Sequence, residues 1–175
     1  MTTTQGTATA IAAVIVFWIV GAYNRLVQLR SDLIARFAAV DERFRQRQAL
    51  LERQLELLST ALVTAGPRLE SLRAACAQAN TAREHARTRP GVAGAVTSLR
   101  VAEDILADAR ARLPVQALPG ADLPELNAQL ATSDTALVFA RADFNAAVAA
   151  YNEGVRQFPT VLVARLFSFR SAAAF

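Results

Sequence analysis

The hydrophobic positions of this chain form two patterns that meet near residue 23. From Ala8 to Ala22 the chain is an uninterrupted run of apolar and small residues, and no charge occurs before Arg25. Beyond that point apolar residues recur every three or four positions, as one face of an amphipathic helix requires. Neither Gly nor Pro separates the two patterns after Gly21. They therefore predict one continuous helix.

Four amphipathic segments follow, divided by turns that contain Gly or Pro. The first ends at Gly66-Pro67, the second runs from there to Thr88, the third covers residues 92–113, and the fourth covers residues 122–158. Gly permits a closing turn, and Pro cannot continue the helical hydrogen bonds. We predict an all-α fold in which an N-terminal transmembrane helix (1–24) continues into a long antiparallel four-helix bundle (25–159), followed by a short tail (160–175). The predicted core stripes contain Leu26, Leu29, Leu33, Phe37, Val40, Phe44, Leu51, Leu55, Leu58 and Leu62, then Val96, Leu99, Ile105 and Leu106, then Leu126, Leu130, Leu137, Phe144, Val148, Tyr151, Val155 and Phe158.

The apolar run is short for a membrane span. Its 15 residues fall below the roughly 20 that usually cross a bilayer, although Thr7, Thr9 and residues 23–29 extend it. A cleaved secretory signal is the alternative, since residues 20–22 offer an acceptable cleavage site. A signal carries basic residues before its apolar run, however, and residues 1–6 have none. The flanks therefore favour a retained anchor.

Positive charges follow the apolar run and do not precede it. The nearest are Arg25, Arg30 and Arg36. Because cytoplasmic flanks of spans carry an excess of Lys and Arg, this asymmetry predicts an N-terminus outside the cell and the bundle in the cytoplasm.

The helix lengths predict where the chain ends. At 1.5 Å per residue, the four rods beyond the membrane measure roughly 57, 33, 33 and 55 Å. Going up, down, up and down by those amounts returns the chain to its starting height, below a stalk of helices one and four. The tail then lies at the membrane surface, either as an interfacial segment whose Arg side chains reach phosphates or as a last turn that caps the bundle core. The tail residues concerned are Arg165, Leu166, Phe167, Phe169 and Arg170.

The composition favours helix and argues against a nucleic-acid partner. The chain is 53% hydrophobic, with a net charge of +4, and all 19 of its basic residues are Arg. Its abundant Ala and Leu favour helix. The Arg residues alternate with acidic ones, as in Asp41-Glu42-Arg43. We therefore expect solvated helix faces and no nucleic-acid binding, which needs a basic stripe.

No residue set predicts a catalytic site, a cofactor or a metal. Cys76 is alone and lies on the apolar side of its helix, where a thiol behaves as a small hydrophobe. A di-iron site in a four-helix bundle needs Glu-x-x-His on two helices. His85 is the sole His, however, and Ala82 stands three residues before it. We expect a solvated His85 and a protein that is not an enzyme and has no small-molecule substrate.

Short motifs from the anchor to the tail resemble those of one family. They are Tyr23-Asn24-Arg25, Arg141 with Phe144-Asn145, Tyr151-Asn152, Phe158-Pro159 and Leu166-Phe167-Ser168-Phe169. In order and spacing they resemble the LemA family of bacterial membrane proteins over nearly the whole chain. The resemblance implies a single transmembrane helix in the bacterial inner membrane, a cytoplasmic helical bundle and no assigned enzymatic activity. Residues 51–54 depart from the family's Pro-Asn pair, so the chain resembles a divergent member.

Two Asn residues in the fourth helix need polar partners. Asn145 and Asn152 are seven apart and share a helix face, and Asn is unfavourable in mid-helix without a partner. The helix lengths bring residues 23–24 towards residues 151–152. We hypothesise that these groups hydrogen-bond between helices one and four and fix their register. A binding patch for a partner is the alternative.

Two functions remain open. The first is an envelope scaffold or adaptor whose bundle presents an Arg- and Glu-rich face to an unidentified membrane or cytoplasmic protein, or to a second copy. The second is a membrane-remodelling or lipid-organising element, in which the anchor and the tail act together on the lipid bilayer.

Overall fold

The computed structural model describes residues 3–61, 66–113 and 122–175. Its helices are α1 (Thr3–Ala61), α2 (Gly66–Thr88), α3 (Ala93–Ala111), α4 (Asp122–Arg156) and α5 (Thr160–Leu166). No strand occurs in those three ranges, and the all-α fold is confirmed. The predicted loop at residues 114–120 and Leu62 lie outside the described residues.

The helix α1 continues without a break from the apolar run into the bundle. Its first part is uncovered: Phe17 is 80% exposed and Val14 is 68% exposed. From Ala22 onwards the same helix is packed, and Leu26 is fully buried. One 18-residue window of α1 has a mean hydropathy of 1.9, with 6% of its residues buried. That stretch is long and apolar enough to cross a membrane.

The helices pack as two antiparallel pairs. α1 lies closest to α4, α2 lies closest to α3, and α1 also packs on α2. The buried side chains of α1 follow alternating steps of three and four residues, as the seam of a coiled coil does. Positions 33, 37, 40, 44, 47, 51, 54 and 58 continue that pattern, and all of them are buried. Two of them, Arg47 and Gln54, are polar.

Three predicted core residues are less buried than the pattern implied. Leu29 is half-buried, Ile105 is 41% exposed and Phe158 is 76% exposed. Phe158 is exposed because α4 ends at Arg156, so Phe158 is not part of the helix whose apolar face is buried. Ile105 is next to the buried Leu106 on α3, and adjacent residues of a helix point about 100° apart.

The predicted stalk of helices one and four contains a third helix. The turn between α2 and α3 reaches the level of Leu33, since a Cβ atom on Gly91 would lie 3.5 Å from Leu33 Cδ2. Below that level α5 packs against both α1 and α4. We call this end of the bundle the base. It consists of residues 22–29, the last turns of α4, and the predicted tail (160–175), which divides into α5 and an extended segment, residues 167–175. From here on, the tail means this extended segment.

Candidate functional site

The two long helices approach each other closely at the base because Gly154 has no side chain. A Cβ atom at this position would lie 2.6 Å from Leu29 Cδ1 and 3.7 Å from Leu26 Cδ2. Glycine therefore permits a helix contact that a larger residue would open. The contact also sets the height of α4, whose residue 154 is level with residues 26–29 of α1.

The tail lies along α4, where two asparagine side chains hold it. Asn152 donates from Nδ2 to the Ala172 carbonyl oxygen at 2.9 Å and accepts from the Ala172 N–H at 2.8 Å. Asn145 makes the same pair of hydrogen bonds with Phe175, at 3.4 and 2.9 Å. Each amide thus pairs with both main-chain groups of one tail residue, as a residue of a neighbouring antiparallel strand would.

The spacing of the two Asn residues fits an extended segment. Seven residues of helix rise about 10.5 Å, and three residues of extended chain span about 10 Å. Asn152 and Asn145 therefore match Ala172 and Phe175 in order, with the tail antiparallel to α4. The predicted hydrogen bonds between helices one and four are wrong for these two side chains, because an extended segment occupies their polar groups. Asn24 is exposed.

Two further hydrogen bonds fix the tail. The buried Tyr151 donates its hydroxyl to the Arg170 carbonyl oxygen at 3.0 Å, and the Ala173 N–H donates to the Gly91 carbonyl oxygen at 2.8 Å. Gly91 has a φ of 76°, and a Cβ atom there would lie 3.0 Å from Ala172 Cβ. The positive φ favours glycine, and a side chain at this position would also crowd the tail. Burial raises the pKa of the Tyr151 hydroxyl, so it remains a donor at neutral pH.

Phe175 fills an aromatic pocket at the far end of the tail. Its ring centroid lies 6.3 Å from that of Phe37, 6.2 Å from that of Phe44 and 5.4 Å from that of Phe144. The guanidinium carbon of Arg141 is 5.0 Å from the Phe44 centroid and 5.2 Å from the Phe175 centroid. Both distances are within cation–π range. Arg141 and Phe144, predicted from motifs alone, therefore form the walls of one pocket.

The start of the tail contacts the first turn of α1 beyond the apolar run. The ring of Tyr23 lies 5.0 Å from that of Phe167 and 6.0 Å from that of Phe169. Arg25 is exposed and Pro159 is half-buried. Tyr23 and Tyr151 thus both contact the tail, which lies between them.

The tail and α5 have an inner and an outer side. Val163 and Ala164 are buried and Phe169 is half-buried. The inner side therefore caps the bundle core, which is one of the two arrangements predicted for this segment. The outer side of this segment, which includes the predicted Arg165, Leu166 and Arg170, is exposed.

A cluster of charged side chains, here called the ionic layer, separates the two apolar halves of the core. Arg47 donates from Nη2 to both carboxylate oxygens of Glu103, at 2.5 and 2.6 Å, and Arg141 donates to Glu103 at 3.0 Å. Asp134 lies 3.6 Å from Arg47 and 3.0 Å from Arg110. The side chains of Arg47 and Glu103 are only 9% and 8% exposed. Burial lowers the pKa of Arg141, and the charge of Glu103 opposes that shift.

The ionic layer corrects the prediction that the charged residues line solvated faces. Arg47 lies between Phe44 and Leu51 in the stripe of α1, and its position in that stripe is the sequence signal for burial. Arg83 on α2 is buried as well and donates to Asp41 at 2.7 Å. Charged side chains at core positions are thus paired between helices, as burial requires.

Cys76 is buried, as the pattern predicted. Burial raises the pKa of its thiol from 9.0 to about 11. We expect Ellman's reagent to leave the folded chain unlabelled at pH 8 and to label it fully in denaturant. Because the folded pKa is the higher one, the stabilisation that the neutral thiol contributes is fully present below pH 9 and is lost as pH rises through 11. Rapid labelling of the folded chain at pH 8 would contradict this packing.

The described residues contain no group of three or more His, Cys, Asp and Glu side chains that could hold a metal ion. His85 is exposed, as predicted. The contacts described at the base are hydrogen bonds to main-chain groups and aromatic contacts, and the ionic layer lies further along the bundle.

Comparison with known proteins bears on the whole arrangement. Curated proteins give no match to the chain. The model of the LemA family matches residues 24–175, which begin just after the apolar run and include the Asn pair, the tail and the ionic layer. That match covers nearly the whole chain and agrees with the motif residues found at the base. The chain belongs to the LemA family.

Proposed function

We propose that this chain is a non-enzymatic, single-pass membrane adaptor of the bacterial inner membrane, with its N-terminus outside and its bundle in the cytoplasm. The observation that carries the proposal is that α1 contains both a stretch long and apolar enough to cross a membrane and a core helix of the bundle. Since no loop separates the two parts, the bundle has a fixed distance and direction from the bilayer. A rigid mount of this kind suits a protein that positions a partner.

The outer surface of the bundle offers the partner polar and apolar contacts. Arg45 and Glu42 form an exposed ion pair on α1, and Phe139 on α4 is 67% exposed. Protein interfaces commonly combine aromatic side chains with Arg at the contact. The partner in this proposal is another protein, with a second copy of the chain as the alternative occupant.

The orientation can be tested with single cysteines in the Cys76→Ala chain. Gln5→Cys places a thiol before the apolar run and Phe139→Cys places one on the bundle, and both positions are exposed. A membrane-impermeant maleimide should label position 5 in intact spheroplasts and position 139 only after permeabilisation. The reverse pattern would place the bundle outside the cell.

The adaptor role can be tested with a photo-reactive amino acid in living cells. Placed at Phe139 or at Arg45, it should capture the same protein, identified by mass spectrometry, from both positions. Placed at Phe17, another exposed Phe, within the anchor, it should not capture that protein. Recovery of only the chain itself from positions 139 and 45 would contradict the adaptor role and favour self-association.

A further inference from the structure

The outer side of α5 and its flanks is a cluster of large apolar side chains. Phe158, Leu162, Leu166 and Phe167 are 76%, 54%, 71% and 51% exposed. The first three are four residues apart, and the last two are adjacent. We call these four residues the α5 face. An apolar cluster of this size on an exposed surface indicates a contact with something else.

The α5 face lies level with the end of the apolar run. Gly154 packs beside Leu26, and α4 ends two residues after Gly154, at Arg156, just before Phe158. Phe167 contacts Tyr23, the first residue after the run. The uncovered apolar surface of the anchor therefore continues onto the α5 face.

Because the anchor is short, the residues that flank it are expected to lie in the lipid interface. The 15 residues from Ala8 to Ala22 rise about 22 Å as helix, against a hydrocarbon thickness of about 30 Å. A bilayer accommodates a short span by thinning and by taking in the flanking residues. The flank here is Tyr23 together with the α5 face that packs on it.

Exposed guanidinium groups surround the α5 face. Arg25, Arg156, Arg165 and Arg170 are all exposed, and the acidic side chain nearest in sequence is the exposed Glu153. Guanidinium groups bind phosphates through paired hydrogen bonds. Basic residues beside a span are attracted by anionic lipids.

We propose that the α5 face lies in the lipid interface, with its four apolar side chains among the upper acyl chains and Arg165 and Arg170 on the phosphates of anionic phospholipids. This inference goes beyond the adaptor role and rests only on the membrane anchoring in the proposed function. The continuity with the anchor favours lipid over a protein as the occupant. The tail contributes by position, since the Asn pair holds the segment that follows α5 against the bundle.

The experiment uses the full chain with Cys76→Ala, labelled with an environment-sensitive fluorophore and reconstituted in vesicles of phosphatidylcholine and phosphatidylglycerol. The label is placed at Leu166→Cys, with Phe139→Cys as the matched exposed position and Phe17→Cys as the position within the anchor. Spin-labelled lipids quench the fluorescence at a known depth. We expect a blue shift and quenching by shallow spin labels at 166, quenching by deep labels at 17, and neither at 139.

Each outcome is decisive. Quenching at 17 with an emission at 166 equal to that at 139 would overturn the lipid contact and leave the anchor intact. Absence of quenching at 17 would overturn the anchor and the lipid contact together.

A second variant tests the phosphate contacts. With Arg165→Gln and Arg170→Gln, quenching at 166 should fall and no longer depend on phosphatidylglycerol. Arg112→Gln, an exposed position at the other end of the bundle, should leave it unchanged. Equal quenching in all three chains would overturn the role of the two Arg residues.

Discussion

Replacing Glu103 by Ala should lower the free energy of unfolding by about 3–5 kcal/mol, the cost of leaving a buried charge without its partner. Glu103 is the shared acceptor of Arg47 and Arg141. Without Glu103, the acidic partner left to the buried Arg47 in the part of the chain that the structure describes is Asp134, at 3.6 Å. Denaturant unfolding of the full chain in detergent, followed by circular dichroism, measures this difference.

Two controls distinguish the effect of a buried unpaired charge from the effect of removing any charged side chain. Glu70 forms an exposed ion pair with Arg73 on α2, so Glu70→Ala should change the free energy of unfolding by less than about 1 kcal/mol. The double variant Arg47→Met with Glu103→Met should be more stable than Glu103→Ala. It removes Arg47, the more deeply buried of the two guanidinium groups that lose Glu103. Equal effects of Glu103→Ala and Glu70→Ala would contradict the ionic layer.

Replacing Phe144 by Ala should cost about 3–5 kcal/mol of stability, as large-to-small changes of buried Phe do. The side chain is fully buried, and its ring lies 5.4 Å from those of Phe37 and Phe175. The change leaves a cavity where α1, α4 and the tail meet. For a domain of this size the midpoint temperature should fall by roughly 6–20 °C, which differential scanning calorimetry measures.

The same helix supplies a matched control. Phe139 is the same residue type on α4, is 67% exposed and lies five positions away. Phe139→Ala should change stability by about 0.5 kcal/mol or less. Comparable losses from the two replacements would mean that the tail pocket is not part of the packed core.

The helices could be predicted from the sequence because they depend on local information. Gly66-Pro67 and Pro90 mark the ends of helices, and the three- and four-residue steps mark the buried face. The same steps also place Arg47 at a core position. Its partners could not be predicted, since Glu103 and Asp134 lie 56 and 87 residues further along the chain. They meet Arg47 only once α1, α3 and α4 are assembled.

The partners of Asn145 and Asn152 were assigned wrongly for a related reason. Helical periodicity predicts which helices pack together, so it suggests a neighbouring helix as the partner of a side-chain amide. These amides instead bind an extended segment that has no periodic pattern of its own. One signal was available: a spacing of seven residues in a helix equals the length of three extended residues. With the tail in place, replacement of Asn24 and of Asn152 should have additive effects on stability, because the two side chains share no contact.

The arrangement of the base depends on the two Asn side chains of α4, which hold the tail against the bundle. Amide hydrogen exchange of the full chain in micelles, read by NMR, tests it most directly at Ala172. We predict a protected Ala172 amide in the original chain and exchange faster by roughly fivefold or more in Asn152→Ala, the factor that about 1 kcal/mol of lost hydrogen bonding gives. Asn24→Ala should leave the rate unchanged. An Ala172 amide that exchanges equally fast with and without Asn152 would contradict the account.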